Sequence, residues 1–377
     1  MSVNPTSNLV IDLRMYRMSG IGRYLQLLLP ALIPLLDAPQ ITAIGDPALL
    51  ISEVWASDPR IRIAPYNAPI FSIREQLAAL TPTIRQAEVF WAPQYNFPLL
   101  YRGKLIVTIH DLCQLAHPET LSSNLQRWYS RHLITQAVLR AEAVLCVSEF
   151  TASEVQRLLH INPSRLVVAY PQVDSLAAAP RISNQTQAEP PYFLVVGNVK
   201  KHKNLRALIS AFTLIHNKIP HNLVIVGKRD GFLNMDRELS LKTDLLAGRI
   251  MFTGFVFDDI LRTYYKNAEA LVFPSFYEGF GFPLVEAMEQ GCPVACSNVS
   301  SLPEIAGDAA LLFNPFCVEE IASALMRLAQ DSALREILIQ RGFSRMSFLR
   351  ARSGAQRTAT TINKILIEAT KAFRRQN

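Results

Sequence analysis

Short apolar runs, many of them β-branched, recur along the chain between segments with helical spacing. In the first half they are "LVIDL" (9–13), "ITAIG" (41–45), "RIRIAP" (60–65), "EVFWAP" (88–93), "KLIVTIH" (104–110), "AVLCVS" (143–148) and "RLVVAY" (165–170). The second half adds "YFLVVG" (192–197), "NLVIVG" (222–227), "RIMFTG" (249–254), "EALVFP" (269–274) and "CPVACS" (292–297). Near-continuous apolar strands alternating with helices predict parallel sheets covered on both faces. The pattern restarts after "SLAAAPRISNQTQAEPP" (175–191), a polar, Ala- and Pro-rich stretch that reads as a linker. The expected class is therefore α/β, with two doubly wound domains in tandem.

The apolar stretch "YLQLLLPALIPLLDAP" is broken by Pro30 and Pro34. It is too short for a membrane span and reads as a buried helix. The opening "MSVNPTSNLVIDLR" has no apolar run behind a basic start, so no secretory signal is expected and a cytoplasmic location is. A chain of 377 residues, 50% hydrophobic and 18% charged, can fill two ordinary cores. Its five cysteines (113, 146, 292, 296 and 317) are odd in number and scattered, which fits a reducing compartment. Cys292 and Cys296 have no second ligand pair and read as core packing rather than a metal site. The net charge of +7 asks for an anionic partner.

Ligands of doubly wound sheets bind at the carboxyl ends of the strands, here the loops opening after Gly197, Gly227, Gly254 and Pro274. "VVGNVKKHKNL" places a glycine turn and Lys200, Lys201 and Lys203 between a strand and a helix, an arrangement suited to a diphosphate. The same cluster also reads as a solvated surface. "FYEGFGFPLVEAME" (276–289) sets Glu278 and Glu286 eight positions apart around a Gly-rich turn, with Pro283 in the first turn of a helix that ends near Gly291. Two carboxylates flanking bare amides suit a sugar nucleotide, whose diphosphate wants donors and whose ribose and sugar want acceptors. In isolation they read equally as solvated glutamates beside a turn.

With these motifs together, the chain resembles the retaining GT-B glycosyltransferases of family 4. The residues that carry the resemblance are the E-x7-E segment with "SSLPEIAGDAA" (300–310), "VGNVKKHKNL" (196–205), "FTGFV" (252–256), "SGIGRY" (19–24), "TIHDL" (108–112) and "VSEFT" (147–151). "GIGRY", "HKN" and "SSLPE" look most like the mannosyltransferases of O-antigen and exopolysaccharide synthesis. The resemblance implies a GT-B fold, two Rossmann-like domains facing across a cleft. Residues 1–180, joined by a C-terminal helix 355–377, would form the acceptor domain and residues 190–354 the donor domain.

The resemblance also implies roles. Glu286 accepts from the ribose hydroxyls and Glu278 from those of the transferred sugar. The amides of Gly279, Phe280, Gly281 and Phe282 line the sugar and phosphate site. Lys203 binds the diphosphate beside the strand-end residues Gly197 and Asn198, and the main chain of Phe255 and Val256 meets the base. Gly20 and Gly22 form the glycine loop that approaches the phosphates and the acceptor. His110 lies near the anomeric carbon, with the packed-histidine alternative satisfied by Asp111. His110, Glu278 and Lys203 are the expected catalytic residues.

Two departures stand out. Asn198 replaces an arginine found in many members, leaving Lys200 or Lys201 to supply its charge. "YPQVD" (170–174) replaces the "NG" that usually precedes the linker.

The implied reaction is retaining transfer of a hexose, mannose from GDP-mannose above all, to a glycan or polyprenyl-diphosphate-linked acceptor. No cofactor or metal is expected, and no Asp-x-Asp occurs in the sequence. The alternatives are a family 4 enzyme using a UDP-sugar and a GT-B sugar-nucleotide epimerase. A dinucleotide oxidoreductase is disfavoured because no strand is followed by G-x-G-x-x-G. Nucleic acid is not an expected partner, because the basic residues do not interleave with exposed aromatics. Arg127, Trp128, Tyr129 and Arg131 fall together in a predicted helix. They fit either contact with an anionic membrane or a helix packed by Trp128 with its arginines in water.

Overall fold

The structure is a computed structural model, and it describes residues 8–70, 72–121, 123–173, 190–227, 246 and 248–376. The chain divides into two compact units, Met1–Gln172 with Arg352–Asn377, and Val173–Ala351. The predicted linker falls almost entirely outside the described residues.

The first unit holds a seven-stranded parallel sheet. Its strands are β1 (Asn8–Asp12), β2 (Gln40–Gly45), β3 (Ile61–Pro65), β4 (Val89–Ala92), β5 (Lys104–Ile109), β6 (Ala143–Cys146) and β7 (Leu166–Val168), in the order β3-β2-β1-β4-β5-β6-β7. The inner strands are buried along almost their whole length, whereas β3 and β7 at the edges are partly exposed. That contrast explains why the inner strands read as unbroken apolar runs. The order reverses between β1 and β4, so the switch point of this sheet lies at their carboxyl ends.

The stretch read as a buried helix forms Ser19–Leu32 with Pro30 in its last turn, followed by a 3₁₀ turn Ile33–Leu35. The final helix, Ala355–Gln376, packs on this unit. Asn363 donates through Nδ2 to the Leu35 carbonyl at 2.9 Å and accepts from the Asp37 amide at 2.9 Å. The Gly354 amide donates to the Tyr170 carbonyl, and a Cβ at Gly354 would lie 2.5 Å from that oxygen.

The second unit holds a six-stranded parallel sheet in the order β10-β9-β8-β11-β12-β13. Its strands are β8 (Tyr192–Val196), β9 (Asn222–Val226), β10 (Ile250–Gly254), β11 (Ala270–Phe273), β12 (Val294–Ser297) and β13 (Ala310–Phe313). The twelve apolar runs noted above correspond to β1–β12. The thirteenth strand, "ALLF", is not among those runs; it is a four-residue edge strand in which Ala310 and Leu311 are partly exposed, Leu312 is exposed and Phe313 is buried. Cys292 and Cys296 form no disulfide and are buried in the packing of this unit. No helix among the described residues is long and apolar enough to cross a membrane.

Candidate functional site

Because β8 neighbours β11 and β11 neighbours β12, all running in one direction, the loops leaving their carboxyl ends are side by side. Three motifs far apart in sequence therefore touch. The Phe276 amide donates to the His202 carbonyl at 2.9 Å, joining the E-x7-E segment to "HKN". The Glu278 amide donates to Ser300 Oγ at 3.2 Å, and Ser301 Oγ donates to the Glu278 carbonyl at 2.9 Å. Ser300 holds a left-handed φ of 59°, a conformation that a non-glycine residue keeps only when its surroundings impose it.

The side chains meet as well. Lys203 Nζ donates to Glu278 Oε1 at 2.6 Å, with only 18% and 14% of the two side chains exposed. The same ammonium lies 4.8 Å from the centroid of the Phe273 ring. The expected diphosphate ligand and the expected sugar ligand thus sit on each other. Lys203 ends a 3₁₀ turn, Lys201–Lys203, rather than standing at the helix itself. The helix Leu205–Ile215 follows Asn204, whose φ is 53° and whose Nδ2 donates to the Pro315 carbonyl at 2.7 Å. Lys200, Lys201 and Asn198 are exposed.

The strand-end glycines have steric reasons of their own. The Gly197 amide donates to the Val226 carbonyl, and the Gly227 amide to the Gly254 carbonyl. A Cβ on Gly227 would stand 2.1 Å from the Gly197 oxygen. Gly197, at φ +142°, lies beneath the Lys203 side chain.

Glu278 lies on the loop and Glu286 in the second turn of the helix Phe282–Glu289, as their spacing predicts. Gly281 caps that helix at φ 99°, and a Cβ there would approach Leu302 Cδ2 to 2.9 Å. Gly281→Ala is therefore expected to lower stability by about 1–3 kcal/mol, measured by urea unfolding. Wild-type stability in that variant would remove the steric argument. Gly279, Phe280 and Gly281 are buried and Phe282 half-buried. Glu286 Oε2 accepts from the Tyr265 hydroxyl at 2.9 Å, a partner with no mark in the sequence. Beyond β10, Phe255 is 71% exposed and packs edge-on to Phe257 at 5.5 Å, with Val256 half-buried between them.

In the first unit His110 directly follows β5. Its Nε2 is 2.8 Å from the Pro93 carbonyl, which can only accept, so Nε2 carries the hydrogen and Nδ1 is the acceptor. The half-buried ring meets the Tyr24 ring edge-on at 4.8 Å, and the His110 carbonyl accepts from Thr151 Oγ1 at 3.5 Å. "GIGRY", "TIHDL" and "VSEFT" thus converge on one histidine. Burial pushes its pKa down to about 4, against the Pro93 bond, which favours the protonated form. The packed-histidine alternative fails in its partner: the Asp111 carboxylate accepts from the Cys113 amide instead.

A Cβ on Gly22 would stand 2.7 Å from the Tyr16 carbonyl, so packing against the turn before the helix already requires this glycine; Gly20 faces open space. A buried ionic cluster that no sequence signal announced follows β1. Arg14 bridges Asp12 at 2.6 Å and Glu75 at 2.7 Å, and lies over the Tyr66 ring.

On the helix Asn124–Arg140, Trp128 is 64% exposed and stacked on His132, with Leu125 and Arg131 also exposed. Trp128 does not pack that helix, which corrects the alternative that it does. Among the described residues, no group of three His, Cys, Asp or Glu is placed to hold a metal ion.

Comparison with known proteins adds three findings. The family model for glycosyl transferases group 1 matches residues 179–345, and that for glycosyltransferase family 4 matches residues 19–175. The O-antigen chain mannosyltransferase B of Escherichia coli is 32% identical over 259 residues, 66% of this chain and 68% of that protein. A serotype-specific mannosyltransferase WbdA of Escherichia coli is 29% identical over 244 residues; the match covers 61% of this chain and 30% of the length of WbdA. Among solved structures, Anabaena HepE in complex with UDP and glucose superposes with a TM-score of 0.67 over 97% of this chain and 100% of its own, at 18% identity.

Proposed function

The chain belongs to glycosyltransferase family 4 and has the GT-B fold, and from that premise we propose that it moves mannose from GDP-mannose, with retention, to a glycan or polyprenyl-diphosphate-linked acceptor in surface polysaccharide synthesis. The observation that carries this reading is the convergence of Lys203, Glu278 and the "SSLPE" hydroxyls at the carboxyl edge of one sheet. The glycosidic C–O bond of the donor breaks as negative charge gathers on the leaving nucleoside diphosphate. Lys203 stabilises that charge, an electrostatic contribution worth several kcal/mol when the group is pre-positioned. As the diphosphate engages Lys203, Glu278 turns from ion-pair partner to acceptor for the sugar hydroxyls. Glu286 accepts from the ribose. His110, neutral with Nδ1 as acceptor, holds a sugar hydroxyl beside the anomeric carbon. No metal or cofactor takes part.

A donor screen that reads nucleoside diphosphate release tests the reading. GDP-mannose should be consumed fastest, with activity undiminished by EDTA and an α-mannosyl product by NMR. Preference for a UDP-hexose would replace the donor assignment; interconversion of the donor sugar without transfer would return the epimerase. The acceptor reading extends to the surface around Trp128. An exposed Trp and Leu beside arginines suit the headgroup region of the cytoplasmic leaflet, where a polyprenyl acceptor stays. The protein should co-sediment with vesicles of anionic lipid at low salt and release as salt screens the contact. Failure to bind at low salt would favour an acceptor in solution.

A further inference from the structure

Glu286 is oriented by a residue outside every motif that singled it out. Tyr265, in the helix Asp258–Asn267, is 1% exposed, and its hydroxyl reaches Glu286 Oε2 at 2.9 Å. The helix that carries it is itself fastened to the sheet. The Tyr192 hydroxyl, from β8, donates to the Tyr264 carbonyl at 2.9 Å, and the Tyr192 and Tyr264 rings meet edge-on at 6.3 Å. A phenol has one hydrogen to give, and giving it to a carboxylate makes a charge-assisted bond. A bond of that kind from a rigid, buried ring fixes the plane of the carboxylate as well as its place. A carboxylate offers about four lone-pair directions, and the Tyr265 hydroxyl takes one of them on Oε2.

We propose that Tyr265 is a positioning residue that sets the Glu286 carboxylate for the ribose diol, and so governs discrimination between ribose and deoxyribose in the donor. The inference rests on the reading that Glu286 meets the ribose. Tyr265 touches no substrate; it acts through Glu286.

The test is calorimetry with GDP and 2′-deoxy-GDP on the wild type, Tyr265→Phe and Glu286→Gln, or with the uridine pair if the donor screen returns UDP. The wild type should bind the ribonucleotide about tenfold more tightly than the deoxy form. Tyr265→Phe, which removes one oxygen, should weaken GDP by roughly five- to tenfold and leave 2′-deoxy-GDP near its wild-type affinity, shrinking the ratio. Glu286→Gln should shrink it at least as far. General damage to the fold lowers both affinities together and leaves the ratio intact, an outcome that overturns the positioning role. Full discrimination in Tyr265→Phe with none in Glu286→Gln also overturns it, while sparing the ribose reading. Full discrimination in Glu286→Gln removes the ribose reading and the inference with it.

Discussion

Lys203→Ala is expected to lower kcat by about 10²–10³, the usual cost of losing one pre-positioned group that stabilises transition-state charge. Lys200→Ala and Lys201→Ala should cost far less, because those side chains are exposed. The ion pair makes the pattern sharper. Removing Lys203 also leaves Glu278, whose side chain is only 14% exposed, without its 2.6 Å partner. Part of the loss in the single variant is therefore the cost of an unpaired carboxylate. The double variant Lys203→Ala/Glu278→Gln should lose less than the two singles added together, with a coupling of about 0.5–3 kcal/mol. Single-turnover rates and nucleoside diphosphate affinities across the cycle measure this. Small, equal losses at all three lysines would reduce the site to a diffuse positive field and sink the assignment.

His110→Ala should reduce turnover by about 1–3 kcal/mol of transition-state stabilisation, the worth of one well-placed hydrogen bond, while bare nucleoside diphosphate affinity stays unchanged. Its titration gives a second handle. Folding lowers the pKa from the ordinary value near 6.5 to about 4, so the unfolded chain binds this proton more readily. The sign follows: above the ordinary value this group sets no slope, and stability is lost as pH falls from about 6.5 toward 4. The loss is at most about 1.4 kcal/mol per pH unit in that window. Urea unfolding of His110→Gln across the same range should show a shallower slope than the wild type. Identical slopes would mean that the imidazole is not held neutral by burial. Since folded His110 is neutral near pH 6.5, its own titration should put no step there into the rate profile.

The strands were legible because their signal is local. β1, β5, β8 and β11 each carry their burial in three to five consecutive apolar residues, which any parallel sheet would cover on both faces. The turn before Glu286 was legible for the same reason: Gly281, Pro283 and Gly291 impose their conformations from within the segment. β13, "ALLF", is as apolar as β11 and carries the same local signal, although it stands at an edge of its sheet.

The partnerships inside the site belong to another level. Lys203 and Glu278 are 75 residues apart, and nothing in either segment points to the other. They meet because β8 and β11 are hydrogen-bonded neighbours, so that their following loops open side by side. Ser300 and Ser301 reach Glu278 because β12 lies on the far side of β11, and Tyr265 reaches Glu286 because one helix packs over another. His110 takes its tautomer from Pro93, 17 residues earlier, because β4 and β5 are paired. By itself the sequence determined which residues could accept, donate or carry charge, and which elements hold them, since composition and period act over one or two turns of chain. The order of strands in each sheet decided which of those groups share a hydrogen bond, because that bond depends on a separation of about 3 Å that only packing across crossovers can set.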